Sequence, residues 1–103
     1  MKRVILESPY AGDVKRNIEY AKKALKDSLK RGEAPIVSHL LHTQVLDDTK
    51  PNERSMGINA GLSWLSVADL HVFYVDYGMS KGMQEAYNLG ICKNIEFRFI
   101  NKN

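Results

Sequence analysis

Apolar residues in this chain fall by turns into short unbroken runs and into stripes of helical spacing. Val4-Ile5-Leu6 is a short run of the kind a central parallel strand needs, because such a strand is buried on both faces. Ser8-Pro9-Tyr10-Ala11-Gly12-Asp13 follows as a turn-rich loop. Its last residue can accept hydrogen bonds from the free N–H groups of a helix start, so Asp13 is the expected N-cap. Val14, Ile18, Ala21, Leu25 and Leu29 then recur at helical spacing, with Ser28 on the flank of the stripe, and Gly32 ends the helix. Ala34-Pro35-Ile36-Val37 reads as a second short strand, which Pro35 must open or in which it must face an unpaired side.

Between residues 38 and 52 the period is lost; a short helical turn fits the first part and an exposed loop fits 47–52. From 53 to 68, Ile58, Leu62 and Leu65 restore helical spacing. Gly57 and Gly61 each weaken such a helix by about 1 kcal/mol relative to alanine, a loss that close backbone packing would explain. Asp69-Leu70-His71-Val72-Phe73-Tyr74-Val75 is the strongest strand of the chain, rich in β-branched and aromatic residues. After a loop at 76–79, Ser80 is placed to cap a helix running to about Leu89, which Gly90 stops, and 95–100 alternates as an edge strand. Strands alternating with helices imply right-handed crossovers. The expected architecture is an α/β class, three-layer α/β/α sandwich with a mainly parallel sheet of four to five strands. No repeat or linker interrupts it, so residues 1–103 are read as one domain.

Composition agrees with a globular chain: 103 residues, 44% hydrophobic and 26% charged, is far from disorder and is enough for one core. A domain this small gains by burying more surface in self-association, so a homo-oligomer is expected. Cys92, the sole cysteine, leaves no intrachain disulfide and no cysteine-built zinc site; a small buried apolar role suits it, and a reducing, cytoplasmic setting follows. No stretch approaches the roughly 20 apolar residues of a membrane span, and the run after Met1-Lys2-Arg3 is too short for a signal peptide. The formal charge is +3, and Lys15, Arg16, Lys22, Lys23, Lys26, Lys30 and Arg31 of the first helix face only Glu19 and Asp27. A nucleic-acid groove is one reading of that bias. A solvated helix face is the better one, because no exposed aromatics interleave with the cations and no nucleic-acid motif is present.

In open α/β sheets ligands bind beyond the carboxyl ends of the strands, where helix N-termini present free N–H groups. Three segments converge on that edge: 8–13, 38–42 and 76–85. Together they supply hydroxyls, an aromatic ring, His39 and His42, glycines and a carboxylate, the inventory of a nucleotide-type pocket. The two histidines have metal-like spacing only on a helix, and no third ligand is evident, so no metal site and no cofactor is expected. Met79 and Met83 are most simply core or subunit-contact residues.

The motifs Ser8-Pro9-Tyr10-Ala11-Gly12-Asp13, Pro35 to His39, Leu46-Asp47-Asp48, Ala68-Asp69 and Ser80-Lys81-Gly82-Met83-Gln84-Glu85 resemble, over nearly the full chain, a family of small bacterial and phage proteins of largely unassigned role. That family is similar in fold to nucleoside 2-deoxyribosyltransferases and 2′-deoxynucleoside 5′-phosphate N-hydrolases. The resemblance implies a ligand site made of Ser8, Pro9, Tyr10, Gly12, Asp13, His39, Ser80, Gly82, Met83 and Glu85. Glu85 matches the glutamate nucleophile that those enzymes aim at the sugar's anomeric carbon, where a carboxylate stabilises or captures an oxocarbenium-like state. Tyr10 matches the place that holds sugar or base, and Ser80 with the following N–H groups would hold a phosphate or hydroxyl. One position departs from the pattern: Gly61 stands where the relatives carry an aspartate that helps the base depart. Such acid–base help is worth about 10²–10⁴-fold, with His39, His42 or Asp47 as candidate substitutes. The resemblance therefore implies binding of a nucleoside or nucleotide with weak or no catalysis, and in a phage setting the sequestration of a nucleotide immune signal. The alternative is an N-glycosidic bond hydrolase or transferase.

Overall fold

The computed structural model describes residues 1–101 and sets out eight elements along the chain. In order they are β1 (Arg3–Glu7), α1 (Val14–Lys30), β2 (Ala34–Ile36), α2 (Ser38–His42), α3 (Pro51–Leu65), β3 (Leu70–Tyr74), α4 (Lys81–Leu89) and β4 (Ile95–Arg98). The four strands form one sheet in the order β2-β1-β3-β4, with all three pairings parallel. The two most apolar strands, β1 and β3, take the centre, in register Val4↔Leu70, Ile5↔His71, Leu6↔Val72 and Glu7↔Phe73.

Alternation along these strands divides the interior in two. Val4, Leu6, Val72 and Tyr74 pack with Tyr20, Ala21 and Ala24 of α1. Ile5 packs with Leu65 of α3 and with Cys92 on the opposite face, where Phe73 also meets Tyr87 of α4 edge-on at 5.9 Å. The result is the expected three-layer α/β/α sandwich, here with four strands. Burial of a side chain such as Leu6, fully covered in this core, contributes about 1.5–3 kcal/mol.

Several boundaries move for identifiable reasons. The third helix begins at Pro51 rather than 53, so Pro51 and Asn52 belong to it and not to the preceding loop; Pro51 sits in the first turn, where a missing N–H costs nothing. The buried stripe of α1 is also rotated from the purely apolar one: Val14 and Leu29 (55% exposed) lie toward solvent, while Asn17 (1%), Tyr20 and Ser28 (0%) face the interior. Each of these three polar groups finds a partner. Asn17 Nδ2 donates to the carbonyls of Tyr10 and Ala11, the Tyr20 hydroxyl donates to Asp76 at 2.6 Å, and the Ser28 hydroxyl donates to Glu33 at 2.7 Å.

Pro35 lies in an edge strand. The N–H of Ala34 donates inward to Lys2 at 2.8 Å, so the next residue turns its backbone nitrogen to the open side, where a missing donor costs no ladder bond. Asp13 caps α1 as expected, accepting from the Arg16 N–H at 3.1 Å. No helix of the described residues is long and apolar enough to cross a membrane.

Candidate functional site

Out of β1 the chain passes to α1 on one face of the sheet; out of β3 it passes to α4 on the other. Between two such strands the loops diverge and leave a crevice at the carboxyl edge, the usual ligand position of this architecture. A cavity of about 560 Å³ occupies it, within the range of small-molecule sites. α3 and α4 form its walls and contribute apolar surface from Leu62, Leu65, Met83 and Leu89. The end of β1 and the short α2 supply polar groups.

Ser8, at the end of β1, is buried, and its Oγ lies 2.8 Å from Nε2 of His39 on α2. The other ring nitrogen, Nδ1 of His39, is buried with no hydrogen-bond partner. Burial holds the His39 pKa below its ordinary value, and the negative charge of Glu7 opposes that shift only in part. The ring is therefore neutral near neutral pH. Beside it, Glu7 Oε2 lies 2.8 Å from Nε2 of His71, whose side chain is 2% exposed against 17% for Glu7. That contact is a hydrogen bond when Nε2 of His71 carries the proton.

At the far wall, the Ser80 hydroxyl accepts from the Met83 N–H at 3.2 Å and caps α4. Its lone pair is thus partly committed to the helix. Glu85 extends from α4 toward Arg54 of α3, 3.7 Å apart, and its side chain is 51% exposed. This ion pair links the two walls and, being solvated, contributes little to stability.

Of the residues expected at a site, Ser8, Tyr10, His39, Ser80, Gly82, Met83 and Glu85 line the cavity. Pro9, Gly12 and Asp13 do not. Gly12 is in the left-handed region at φ +98°, which lets the loop turn into α1, and Asp13 is engaged as the cap. Among the candidate substitutes for a missing acid, His39 and His42 line the cavity, whereas the carboxylate of Asp47 folds back onto Thr49 outside it. Gly61 is explained by packing: a Cβ there would lie 3.0 Å from Ser38 Oγ, so α2 and α3 meet at this glycine.

Glu7 and Arg54 also line the cavity, and His71 holds Glu7 from behind; none of the three is among the residues expected there. Glu7 and His71 did carry a signal, since a carboxylate and an imidazole beside the apolar runs of the two central strands are out of place unless they meet. Seeing that they meet requires the register, which pairs Ile5 with His71 and Glu7 with Phe73. Among the described residues, no group of three or more His, Cys, Asp or Glu side chains comes together as a metal cluster.

No curated protein matches the chain. A solved structure of a 2-deoxyribosyltransferase from the psychrotolerant bacterium Bacillus psychrosaccharolyticus, described as a biocatalyst for the synthesis of antiviral and antitumoral nucleosides, is similar in fold. Its TM-score is 0.68 at 14% identity, covering 98% of this chain and 74% of that one. At the level of sequence, residues 2–100 match the model of a family described as a domain of unknown function (DUF7768), and the chain belongs to that family.

Proposed function

We propose that the cavity binds a nucleoside- or nucleotide-type ligand and that catalysis there is weak or absent. The observation that carries this reading is the cavity's position at the divergence of β1 and β3, lined by Ser8, Tyr10, His39, Ser80 and Glu85. Likeness in fold to a deoxyribosyltransferase supports the ligand class. The weak-catalysis half rests on Gly61. Where similar enzymes carry an acid, Ser38 Oγ stands 3.0 Å from the position a Cβ would take. In this reading the protein works in the cytoplasm as a homo-oligomer that holds its ligand, and in a phage setting it sequesters a nucleotide signal. Isothermal titration against nucleosides, nucleotides and cyclic nucleotides tests it; heat and a thermal shift for at least one member are expected, and uniform silence would contradict it.

A second reading has one specific observation in its favour, the presence of Glu85 on the cavity wall. There Glu85 attacks the anomeric carbon of a deoxynucleoside or its monophosphate while Tyr10 and Ser80 position the sugar. The C1′–N bond breaks, the base leaves with a proton from solvent, and water or a second base then displaces Glu85 from the sugar. Base release measured by chromatography separates the two readings. The leading one expects no turnover above that of Glu85→Ala, whereas a loss of about 10²-fold or more in the variant would establish the nucleophile.

A further inference from the structure

Carboxylates shielded from water in this protein are otherwise well partnered. Glu33 takes two contacts from the Arg98 guanidinium and one from the Ser28 hydroxyl. Asp76 accepts from the Tyr20 hydroxyl and from the backbone N–H groups of Ile100 and Asn101. Asp27 accepts from Tyr74 and Arg31. Oε2 of Glu7 is held by His71 and, as at Asp27 Oδ1, no donor among the described residues reaches its other oxygen, Oε1; unlike Asp27, Glu7 faces the cavity. The carboxylate lines the cavity, and its position is fixed by a ring that is itself buried and packed 4.4 Å from Phe73.

Oε1 is open to water in the cavity, so a ligand that displaces this water must bring a donor of its own or leave a charged oxygen unmatched. The surrounding walls are apolar, with Ile5, Leu62 and Leu65 nearby, which suits a flat ring more than a hydrated group. The charge of the lining points the same way. Glu7, Asp48, Glu53 and Glu85 stand against the permanent cations Arg54 and Lys81, and Arg54 is already paired with Glu85. A phosphate, carrying about −1.5 to −2 near neutral pH, would enter a wall of its own sign. At the N-terminus of α4 one of the free N–H groups, that of Met83, is taken by Ser80.

We propose that the open oxygen of Glu7 is the recognition group of this cavity. The ligand it selects is an uncharged, amino-bearing heterocycle or its nucleoside, with the amino N–H donating to Glu7 Oε1, in preference to the corresponding phosphate ester. This rests on the nucleoside half of the proposed reading and sets aside its nucleotide half, the sequestered nucleotide signal included.

Titration of the full chain with matched pairs tests the proposal: 2′-deoxyadenosine against purine 2′-deoxyriboside, 2′-deoxyguanosine against 2′-deoxyinosine, and each amino-bearing nucleoside against its 5′-monophosphate. In at least one base pair, loss of the amino group is expected to weaken binding about ten- to hundred-fold, as for a hydrogen bond to a charged group, and the monophosphate of the tighter member is expected to bind more weakly than the nucleoside. Glu7→Gln, which keeps size and the contact to His71, is expected to narrow the amino preference to within about three-fold. Nucleoside binding that ignores the amino group, or that is unchanged in Glu7→Gln, overturns this inference and leaves the nucleoside-type reading standing. Tighter binding of the monophosphates also overturns it. Silence toward every probe overturns this inference, and silence of the cyclic nucleotides as well overturns the nucleoside- or nucleotide-type reading with it. The comparisons within the native protein need no variant and stand even if Glu7→Gln folds poorly.

Discussion

His39 shows how burial sets a proton's place in this site. One ring nitrogen is met by Ser8, the other is enclosed without a partner, and the ring pKa lies below its ordinary value because burial disfavours the charged form. As pH falls through the ordinary histidine range near 6.5, the unfolded chain takes a proton that the folded chain resists, so stability declines with acidification from that point. Melting temperature is expected to fall between about pH 7 and about pH 5, and His39→Gln is expected to flatten that slope; equal slopes would remove His39 from the account. The acidic groups held low by their partners, Glu33 first by Arg98, lose their contribution in a separate window below the ordinary carboxylate range. Gly61 belongs to the same scale. Gly61→Ala should gain about 1 kcal/mol of helix propensity, but the new Cβ meets Ser38 Oγ at 3.0 Å. We expect the gain to be absent in the native background and to reappear alongside Ser38→Ala, which a double-mutant cycle in urea unfolding measures. Additive effects would show that the contact is relieved without cost.

At the scale of elements, the sequence pattern was legible wherever burial is purely apolar and misleading where polar groups are buried and satisfied. β1 and β3 were plain from Val4-Ile5-Leu6 and from the aromatic run around Phe73. The stripe of α1 was misplaced because apolar spacing credits Val14 and Leu29 and discounts Asn17 and Ser28, whose interior positions depend on partners in the loop after β1 and at Glu33. Glu33 in turn holds Arg98 of β4, at 2.8 Å and 2.7 Å to its two guanidinium nitrogens, and so ties the start of β2 to the opposite edge strand across the α1 face of the sheet. The Tyr74 hydroxyl completes the network, with its pKa pushed up to about 12 by burial and by its bond to Asp27. Glu33→Ala leaves buried Arg98 with the contact of its Nε to the half-exposed Glu96 and with the Tyr74 hydroxyl, so the expected cost in denaturant unfolding is about 3 kcal/mol, the lower end for a broken buried pair. Replacing Glu33 and Arg98 together with leucine is expected to cost less than the single change; a double variant as unstable as the sum of both singles would contradict this.

For the whole molecule, the parallel sheet and its two helical layers followed from alternation of strand and helix patterns, and with them the edge at which three segments converge. Glu7 and His71 were not legible there, because nothing in a single strand's spacing reveals which residue of a neighbouring strand shares its face. The placement of Ser8, His39, Ser80 and Glu85 around one cavity likewise depends on where β1 and β3 part. The basic residues of α1 lie on a helix that packs against the other face of the sheet, so the cation excess and the cavity are separate features. Amide chemical-shift mapping with a nucleoside that gives a thermal shift is the most direct check on the cavity as the ligand site. Perturbations concentrated at residues 7–10, 38–42, 57–65 and 80–86 are the expected result. Perturbations gathered on the outer face of α1, or spread evenly over the chain, would contradict it.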